Sequence, residues 1–141
     1  LDFDLELARK HTNDNPVYYV QYAHARVASL FRQLAEKQLG YNRASGDAAR
    51  DKLTHEAAQD LMTLLLSFPE TVSAAAKARS PQILVNGLRE LAATFHSYYN
   101  AVPILVEDDA IRSARLYLCK AVKQVLANGL RIVGVSAPEQ M

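Results

Sequence analysis

The spacing of apolar residues along two long stretches of the chain restricts the fold most strongly. In each stretch apolar side chains recur every three or four residues, which is the period of one face of an α-helix. The first stripe is Val17, Val20, His24, Val27, Phe31 and Leu34, and the second is Leu84, Leu88, Leu91, Phe95, Tyr98 and Val102. Asn15-Pro16 and Ser80-Pro81 precede these stripes, each with a capping residue followed by a proline suited to the first helical turn. We therefore expect one long helix from Asn15 toward Gly40 and another from Ser80 to Pro103.

The composition favours a single helical domain. The chain has 141 residues, of which 50% are hydrophobic and only 5 are Gly and 5 Pro. This length suits one domain, and this composition favours helix over sheet or disorder. We predict an all-α fold, a helical bundle of about five main helices. The 16 Lys and Arg balance 15 Asp and Glu, for a net charge of +1, so the chain lacks the strongly basic charge typical of nucleic-acid-binding proteins and any such contact must be local.

The first half of the chain contains two weaker signals. Leu1–Leu7 alternates apolar and acidic residues, which is typical of a half-buried strand. We assign residues 1–14 to a strand or linker from a preceding domain and residues 15–141 to the helical domain. Gly40–Asp51 is polar and contains two glycines, so we expect a mobile, exposed connection. Replacement of Tyr41–Ala49 by a short linker is therefore expected to change stability little.

Further helix boundaries follow from caps and prolines. Thr54 is the expected cap of a helix that Phe68-Pro69 interrupts, and a short alanine-rich helix follows to Arg79. The last helix is expected to begin at Asp108 or Asp109, because acids stabilise helix N-termini, and to end with Asn128-Gly129 as its C-cap.

The cysteine and the histidines give little support for catalysis or metal binding. Cys119 is the single cysteine and lies in an apolar helical run, which indicates a buried thiol in a reducing compartment such as the cytoplasm. An independent Cys-His hydrolase would need Cys119 exposed and within reach of a histidine. The four histidines lack the spacing of metal ligands. No apolar run is long enough to predict a membrane span.

Three segments carry a family resemblance. Residues 15–26 read NPVYYVQYAHAR, residues 1–5 read LDFDL, and residues 130–141 read LRIVGVSAPEQM. Together they resemble the C-terminal anticodon-binding domain, of the DALR type, of arginyl-tRNA synthetases, which are class I enzymes. The HIGH-type and KMSKS-type signatures of the catalytic domain are absent. Because Leu1 stands in mid-pattern without an initiator Met, we expect a C-terminal piece of a longer chain.

The resemblance implies a role in tRNA recognition. The full-length parent would attach arginine to tRNA(Arg) with ATP and magnesium, whereas this piece would be non-catalytic and need no cofactor. Its expected partners are tRNA(Arg), chiefly the anticodon loop, and its own catalytic domain, with no membrane and no DNA. A helical protein-interaction module without RNA function is the alternative, because the same caps and periodicity would support it.

The segment from Phe95 to Asn100 is the expected base-recognition site. Unpaired bases are held by aromatic stacking and by hydrogen bonds to their edges, and the candidate residues are Phe95, His96, Tyr99 and Asn100. The alternative is that the aromatic residues are all core. The resemblance implies that Tyr99 contacts the anticodon, so we rank Tyr99 first and Asn100 second.

Other candidates lie on the last helix, at the C-terminus and in the first helix. Arg112, Arg115 and Lys123 fall within a sector of about 80° and are candidates for phosphate binding, although such a stripe is usually a solvated face. The resemblance implies that Met141 helps to shape the base pocket. It further implies an interdomain or acceptor-arm role for residues of the signature segment, namely Tyr18, Gln21, Tyr22, His24 and Arg26.

Overall fold

The described part of the chain is a bundle of helices. The computed structural model describes residues 4–10, 12 and 14–141. Their helices, in chain order, are α1 (Leu5–Arg9), α2 (Pro16–Glu36), α3 (Arg43–Ala48), α4 (Glu56–Ala78), α5 (Pro81–Ala101) and α6 (Asp109–Ile132). A 3₁₀ turn, Arg50–Lys52, separates α3 from α4. No strand occurs among these residues, and the predicted all-α fold is confirmed.

The four long helices enclose the core. α4 packs along α5, and α6 contacts α2, α3, α4 and α5. Every position of the predicted α5 stripe is buried, with Leu91, Phe95 and Tyr98 fully so. The α2 stripe is buried at its centre, whereas Val17 is 42% exposed and Phe31 is only half-buried. One face of each predicted helix therefore supplies the core, as the periodicity requires.

Several predicted helix starts are confirmed by their caps. The Asn15 side chain accepts a hydrogen bond from the Val17 amide at 3.1 Å, with Pro16 in the first turn. The Asp108 carboxylate accepts one from the Ile111 amide at 2.9 Å. α5 begins after Ser80, although the Ser80 side chain makes no capping bond. The predicted cap of α4 is wrong by one residue, because His55 Nδ1 and not Thr54 accepts from the Ala57 amide.

Two predicted helix breaks are wrong. α4 continues through Pro69 to Ala78. Pro69 is exposed while Phe68 is buried, so packing of the inner face outweighs the backbone hydrogen bond that proline removes. Gly129 is buried inside α6, where an added Cβ would lie 2.3 Å from Leu88 Cδ2 of α5. The chain leaves α6 at Gly134, whose φ of 77° suits a left-handed helix end.

The segment Gly40–Asp51 is structured and packed, which corrects the prediction of a mobile connection. The Asn42 side chain accepts from the Ser45 amide and caps α3. α3 packs against α6 so closely that a Cβ at Gly46 would lie 2.5 Å from the Ser113 carbonyl oxygen. Gly46 therefore permits close contact between two helices and does not indicate a flexible segment.

The strand expected at the N-terminus is also wrong where the structure describes the chain. Leu5–Arg9 is helical, with the Asp4 carboxylate accepting from the Glu6 amide at 3.0 Å and with Arg9 in the last turn. Acidic groups at the start and a basic group at the end favour a helix. Leu1 and Phe3, which contribute to the predicted alternation, lie outside the described residues. No helix in the described ranges is long and apolar enough to cross a membrane.

Candidate nucleic-acid interface

Side chains from α2 and α5 meet in one aromatic cluster. Tyr19, Tyr22 and Arg26 are three and four residues apart and so share a face of α2. His96 and Tyr99 share a face of α5 in the same way. We call these five residues the Arg26 cluster. The His96 ring lies 5.0 Å from the Tyr19 ring and 5.5 Å from the Tyr22 ring, between centroids. From the sequence, Tyr22 and Arg26 are assigned to one site and His96 and Tyr99 to another, and the structure joins them.

Arg26 connects the members of the cluster. Its Nη1 donates to Nδ1 of His96 at 3.0 Å, and its Nη2 donates to the Tyr22 hydroxyl at 3.1 Å. The guanidinium carbon lies 4.9 Å from the Tyr22 ring centroid and 4.5 Å from the Tyr99 ring centroid, both within cation–π range.

The charge of Arg26 is not offset by a carboxylate in contact. The ion pairs formed among the described residues are Arg50–Asp47, Arg112–Asp109 and Lys123–Glu139. Arg26 is half-buried and held by neutral groups. A cation placed beside aromatic rings in this way attracts the anionic and π-rich groups of RNA.

His96 is held in its neutral form. Burial and, to a lesser extent, the adjacent Arg26 charge together lower the pKa of His96 to about 4, against a smaller opposing effect of the Tyr19 backbone. At neutral pH the imidazole is therefore uncharged, and its Nδ1 is free to accept the arginine hydrogen bond.

Tyr99 and Asn100 are the accessible members of the predicted base-recognition segment. Tyr99 is half-buried and Asn100 is exposed. Phe95 is fully buried, and His96 is 9% exposed. The Phe95 ring lies 6.1 Å from the Tyr99 ring, between centroids. This burial corrects the prediction that Phe95 and His96 contact a base, because Phe95 instead packs against Tyr99 from the core and His96 accepts the Arg26 hydrogen bond.

Tyr99 borders an open cleft between the end of α5 and α2. The cleft has a volume of about 260 Å³. Its walls are formed by Leu30, Gln33, Lys37, Tyr99, Val102, Pro103, Ile104 and Leu105. Lys37 brings an exposed positive charge to one side, and Gln33 brings an amide. The cleft thus combines an aromatic ring, apolar walls and polar groups, as sites for unpaired bases do.

The opposite side of α2 holds the C-terminal tail, residues 133–141. The Gln21 amide donates to the Ser136 carbonyl at 3.0 Å, and His24 Nδ1 donates to the Pro138 carbonyl at 2.8 Å. Arg32 donates to the Glu139 carbonyl at 2.9 Å. Gln21 and His24 therefore hold the tail against α2 through hydrogen bonds. These contacts are not predicted by the sequence.

Met141 lies at the other end of α2 from the Tyr99 cleft. It is 48% exposed. It lines a separate cleft of about 700 Å³ together with Arg9, Lys10, Asn15, Val17, Tyr18 and Gln21. The Tyr18 and Tyr22 rings stack with centroids 6.4 Å apart, so the Met141 cleft adjoins the Arg26 cluster through these two tyrosines.

Comparison with known proteins decides the family. The DALR anticodon binding domain family matches residues 20–141. The chain belongs to this family. It is 52% identical to an arginine–tRNA ligase of Halorhodospira halophila and 55% identical to one of Acidithiobacillus ferrooxidans. Each match covers the whole of this chain and 24% of the relative.

A solved structure agrees with the family assignment. The arginyl-tRNA synthetase of Thermus thermophilus matches all of this chain with a TM-score of 0.80 and 34% identity, over 24% of its own length. This anticodon-binding domain therefore spans about a quarter of the curated relatives that it matches. The expected resemblance is confirmed.

The basic sector of this anticodon-binding domain is largely occupied by internal contacts. Arg112 is 2% exposed and donates to the carbonyls of Gly40, Val106 and Glu107 and to the Asp109 carboxylate. The prediction that Arg112 binds phosphate is therefore wrong, because its donors are used and shielded from solvent. Arg115 donates to the Pro103 carbonyl, and Lys123 pairs with Glu139 at 2.7 Å. Arg115 and Lys123 remain partly accessible.

The Cys-His hydrolase hypothesis is wrong. Cys119 is fully buried, and burial raises the pKa of its thiol to about 12. A buried, protonated thiol is not a nucleophile. Within the described part of the chain no group of three or more His, Cys, Asp or Glu residues is arranged to hold a metal.

The two polar residues that line the Tyr99 cleft, Gln33 and Lys37, are absent from the sequence-based candidates. Arg26, Leu30, Gln33 and Lys37 follow one another at spacings of four, three and four, so they lie on one face of α2. Extending the helical period from Arg26 toward the end of α2 would have found them.

Proposed function

We propose that this domain binds the anticodon loop of tRNA(Arg) as the C-terminal part of an arginine–tRNA ligase. The family match and the identity to arginine–tRNA ligases over the whole chain support the proposal. The observation that carries it within the structure is the partly accessible Tyr99, which lies against Arg26 and lines an open cleft. The family match favours this function over a protein-interaction module without RNA binding.

The recognition step uses groups of the Tyr99 cleft. A base that leaves the anticodon stack places its face on the Tyr99 ring, because every base presents a π-face to an aromatic side chain. Asn100, exposed beside Tyr99, offers both hydrogen-bond donors and an acceptor to a base edge. Lys37 and Gln33 line the same cleft, where an ammonium contributes the salt-dependent attraction to phosphate.

Ligation belongs to the part of the parent that this chain does not cover. In this proposal ATP and magnesium bind there, and the enzyme acts in the cytoplasm. The remaining accessible candidates are proposed to contact either the catalytic domain or the tRNA. They are Tyr18, Tyr22, Arg115, Lys123 and Met141.

Substitution of Tyr99 in the full-length enzyme tests the proposal. Tyr99→Ala removes the stacking surface and is expected to weaken tRNA binding by roughly 1–3 kcal/mol, while Tyr99→Phe keeps the ring and most of the affinity. Binding titrations with tRNAs that differ only in the anticodon provide the measurement. If Tyr99→Ala lowers only the melting temperature and leaves anticodon discrimination intact, Tyr99 is a core residue and the proposed surface is wrong.

A second substitution separates phosphate contacts from base contacts. Arg115→Ala is expected to weaken cognate and non-cognate tRNA alike and to reduce the salt dependence of binding, because a phosphate contact carries no sequence information. Unchanged salt dependence would show that Arg115 does not bind phosphate and serves only in its internal hydrogen bond to the Pro103 carbonyl.

A further inference from the structure

We propose that Arg26 is a positioning residue that fixes the Tyr99 ring for stacking on an anticodon base. This inference rests on the proposed function and assigns a specific task to a side chain of α2. The sequence places Arg26 in the signature segment, far from the base-recognition segment, and only the packing of α2 on α5 brings the two together.

The geometry of Arg26 restricts the guanidinium at several points. One nitrogen donates to His96 Nδ1, and another donates to the Tyr22 hydroxyl. With two directional bonds the planar group has a defined orientation. Its carbon lies 4.5 Å from the Tyr99 ring centroid, so the orientation of the guanidinium restricts the tyrosine ring.

The core supports the same ring from another direction. The fully buried Phe95 ring contacts Tyr99 with centroids 6.1 Å apart and an angle of 57° between the ring planes. Tyr99 therefore has a rigid aromatic neighbour and a fixed cationic neighbour, while part of its surface remains accessible. A ring ordered before binding loses less conformational entropy when a base stacks on it.

The choice of arginine follows from these contacts. A lysine at this position would keep the positive charge and its attraction for phosphate. It lacks the planar fork of donors that bonds His96 and Tyr22 while lying against Tyr99. Arg26→Lys therefore separates the positioning role from a simple charge contribution.

The test is a double-mutant cycle in the full-length enzyme with Arg26→Lys, Tyr99→Ala and the double variant. Arg131→Lys serves as the matched control, because Arg131 is exposed at the end of α6. Arg26→Lys is expected to weaken cognate tRNA binding by about tenfold and to reduce discrimination between anticodon variants. The loss is expected to disappear in the Tyr99→Ala background, because no ring is left to position.

A tRNA-free measurement reports the ring directly. In enzyme labelled with meta-fluorotyrosine, the Tyr99 fluorine signal, assigned by its loss in Tyr99→Phe, is expected to shift in Arg26→Lys and to stay in place in Arg131→Lys. A signal that does not move in Arg26→Lys would overturn the positioning role whatever the tRNA data show.

The binding outcomes distinguish the two proposals. If Tyr99→Ala weakens binding and Arg26→Lys does not, the positioning role fails and the proposed function stands. If Arg26→Lys weakens all tRNAs equally, or adds fully to Tyr99→Ala, Arg26 acts independently of Tyr99 and the inference is overturned. If Tyr99→Ala has no effect on binding, the proposed recognition surface and the positioning role are both wrong.

Discussion

At the scale of single residues, two nearby side chains of α2, His24 and Arg26, make hydrogen bonds on opposite sides of the helix. His24 donates to the Pro138 carbonyl of the tail, whereas Arg26 donates to His96 of α5. Two residues along a helix correspond to a rotation of about 200°, so the two side chains leave opposite sides of α2. The signature segment thus connects the tail to the Arg26 cluster. Its polar side chains are needed for hydrogen bonds on both sides of α2.

The protonation of His96 gives a prediction at this scale. Its pKa in the folded protein is about 4, below the ordinary value of 6.5, because of burial and the Arg26 charge. The unfolded chain therefore binds this proton more readily, so the stability that neutral His96 contributes is present above about pH 6.5. It is lost as the pH falls toward about 4.

Replacing Arg26 tests this account of the His96 pKa. In Arg26→Ala the pKa of His96 is expected to rise, because a nearby positive charge disappears, but to stay below 6.5, because burial remains. Titration of the histidine ring signals by NMR measures the change, with Arg131→Ala as the control. An unchanged His96 pKa in Arg26→Ala would show that the two groups are not coupled.

At the scale of elements, a glycine determines how closely α3 approaches α6. Gly46 is buried against the Ser113 backbone, and the backbone N–H of Asn42, the cap of α3, donates to the Ser113 hydroxyl at 3.2 Å. Asn42-Arg43-Ala44-Ser45-Gly46 reads as a loop because asparagine, serine and glycine are common in turns. The same residues cap a short helix and permit its close contact with α6.

Gly46→Ala is predicted to destabilise the domain by about 1–3 kcal/mol, although alanine is the better helix former. The added Cβ would lie 2.5 Å from a backbone oxygen, which cannot move aside as a flexible side chain does. Gly40→Ala is the control, because nothing lies within 4 Å of its added Cβ. Chemical denaturation of both variants measures the difference, and equal stability would show that α3 is loosely attached.

At the scale of the whole molecule, the C-terminal tail closes the fold by returning to its first long helix. Gln21 and Ser136, joined by a hydrogen bond, are 115 residues apart in the chain. Lys123 of α6 pairs with Glu139, and hydrogen bonding to Lys123 lowers the pKa of the Glu139 carboxyl. The tail thus connects α2 and α6 over the outside of the bundle.

His24→Ala is predicted to increase the fraction of molecules in which the tail is detached from α2. One lost hydrogen bond of about 1 kcal/mol increases the detached population roughly fivefold. Cleavage after Glu139 by a glutamate-specific protease, followed by mass spectrometry, measures this population. His55→Ala, which removes a histidine cap from α4, is expected to leave that cleavage rate unchanged. A native rate in His24→Ala would mean that Gln21 and Arg32 suffice to hold the tail.

The amino-acid sequence alone was enough to predict the starts of three long helices and the buried face of α5. Apolar periodicity and local caps act over a few residues, so the starts at Asn15, Ser80 and Asp108 and the α5 stripe were predictable. The family resemblance, carried by residues 15–26 and 130–141, was also readable in the chain. Tyr99 and Asn100, the candidates ranked first, are accessible in the fold.

The roles of the remaining side chains depend on how the helices pack together. Packing of α2 on α5 placed Arg26 beside Tyr99, and the carbonyls of Gly40, Val106 and Glu107 engaged Arg112 internally. Helix contacts likewise kept Gly129 and Pro69 inside helices, where local signals predicted ends. These outcomes depend on groups distant in sequence, and local periodicity contains no information about which distant faces will meet.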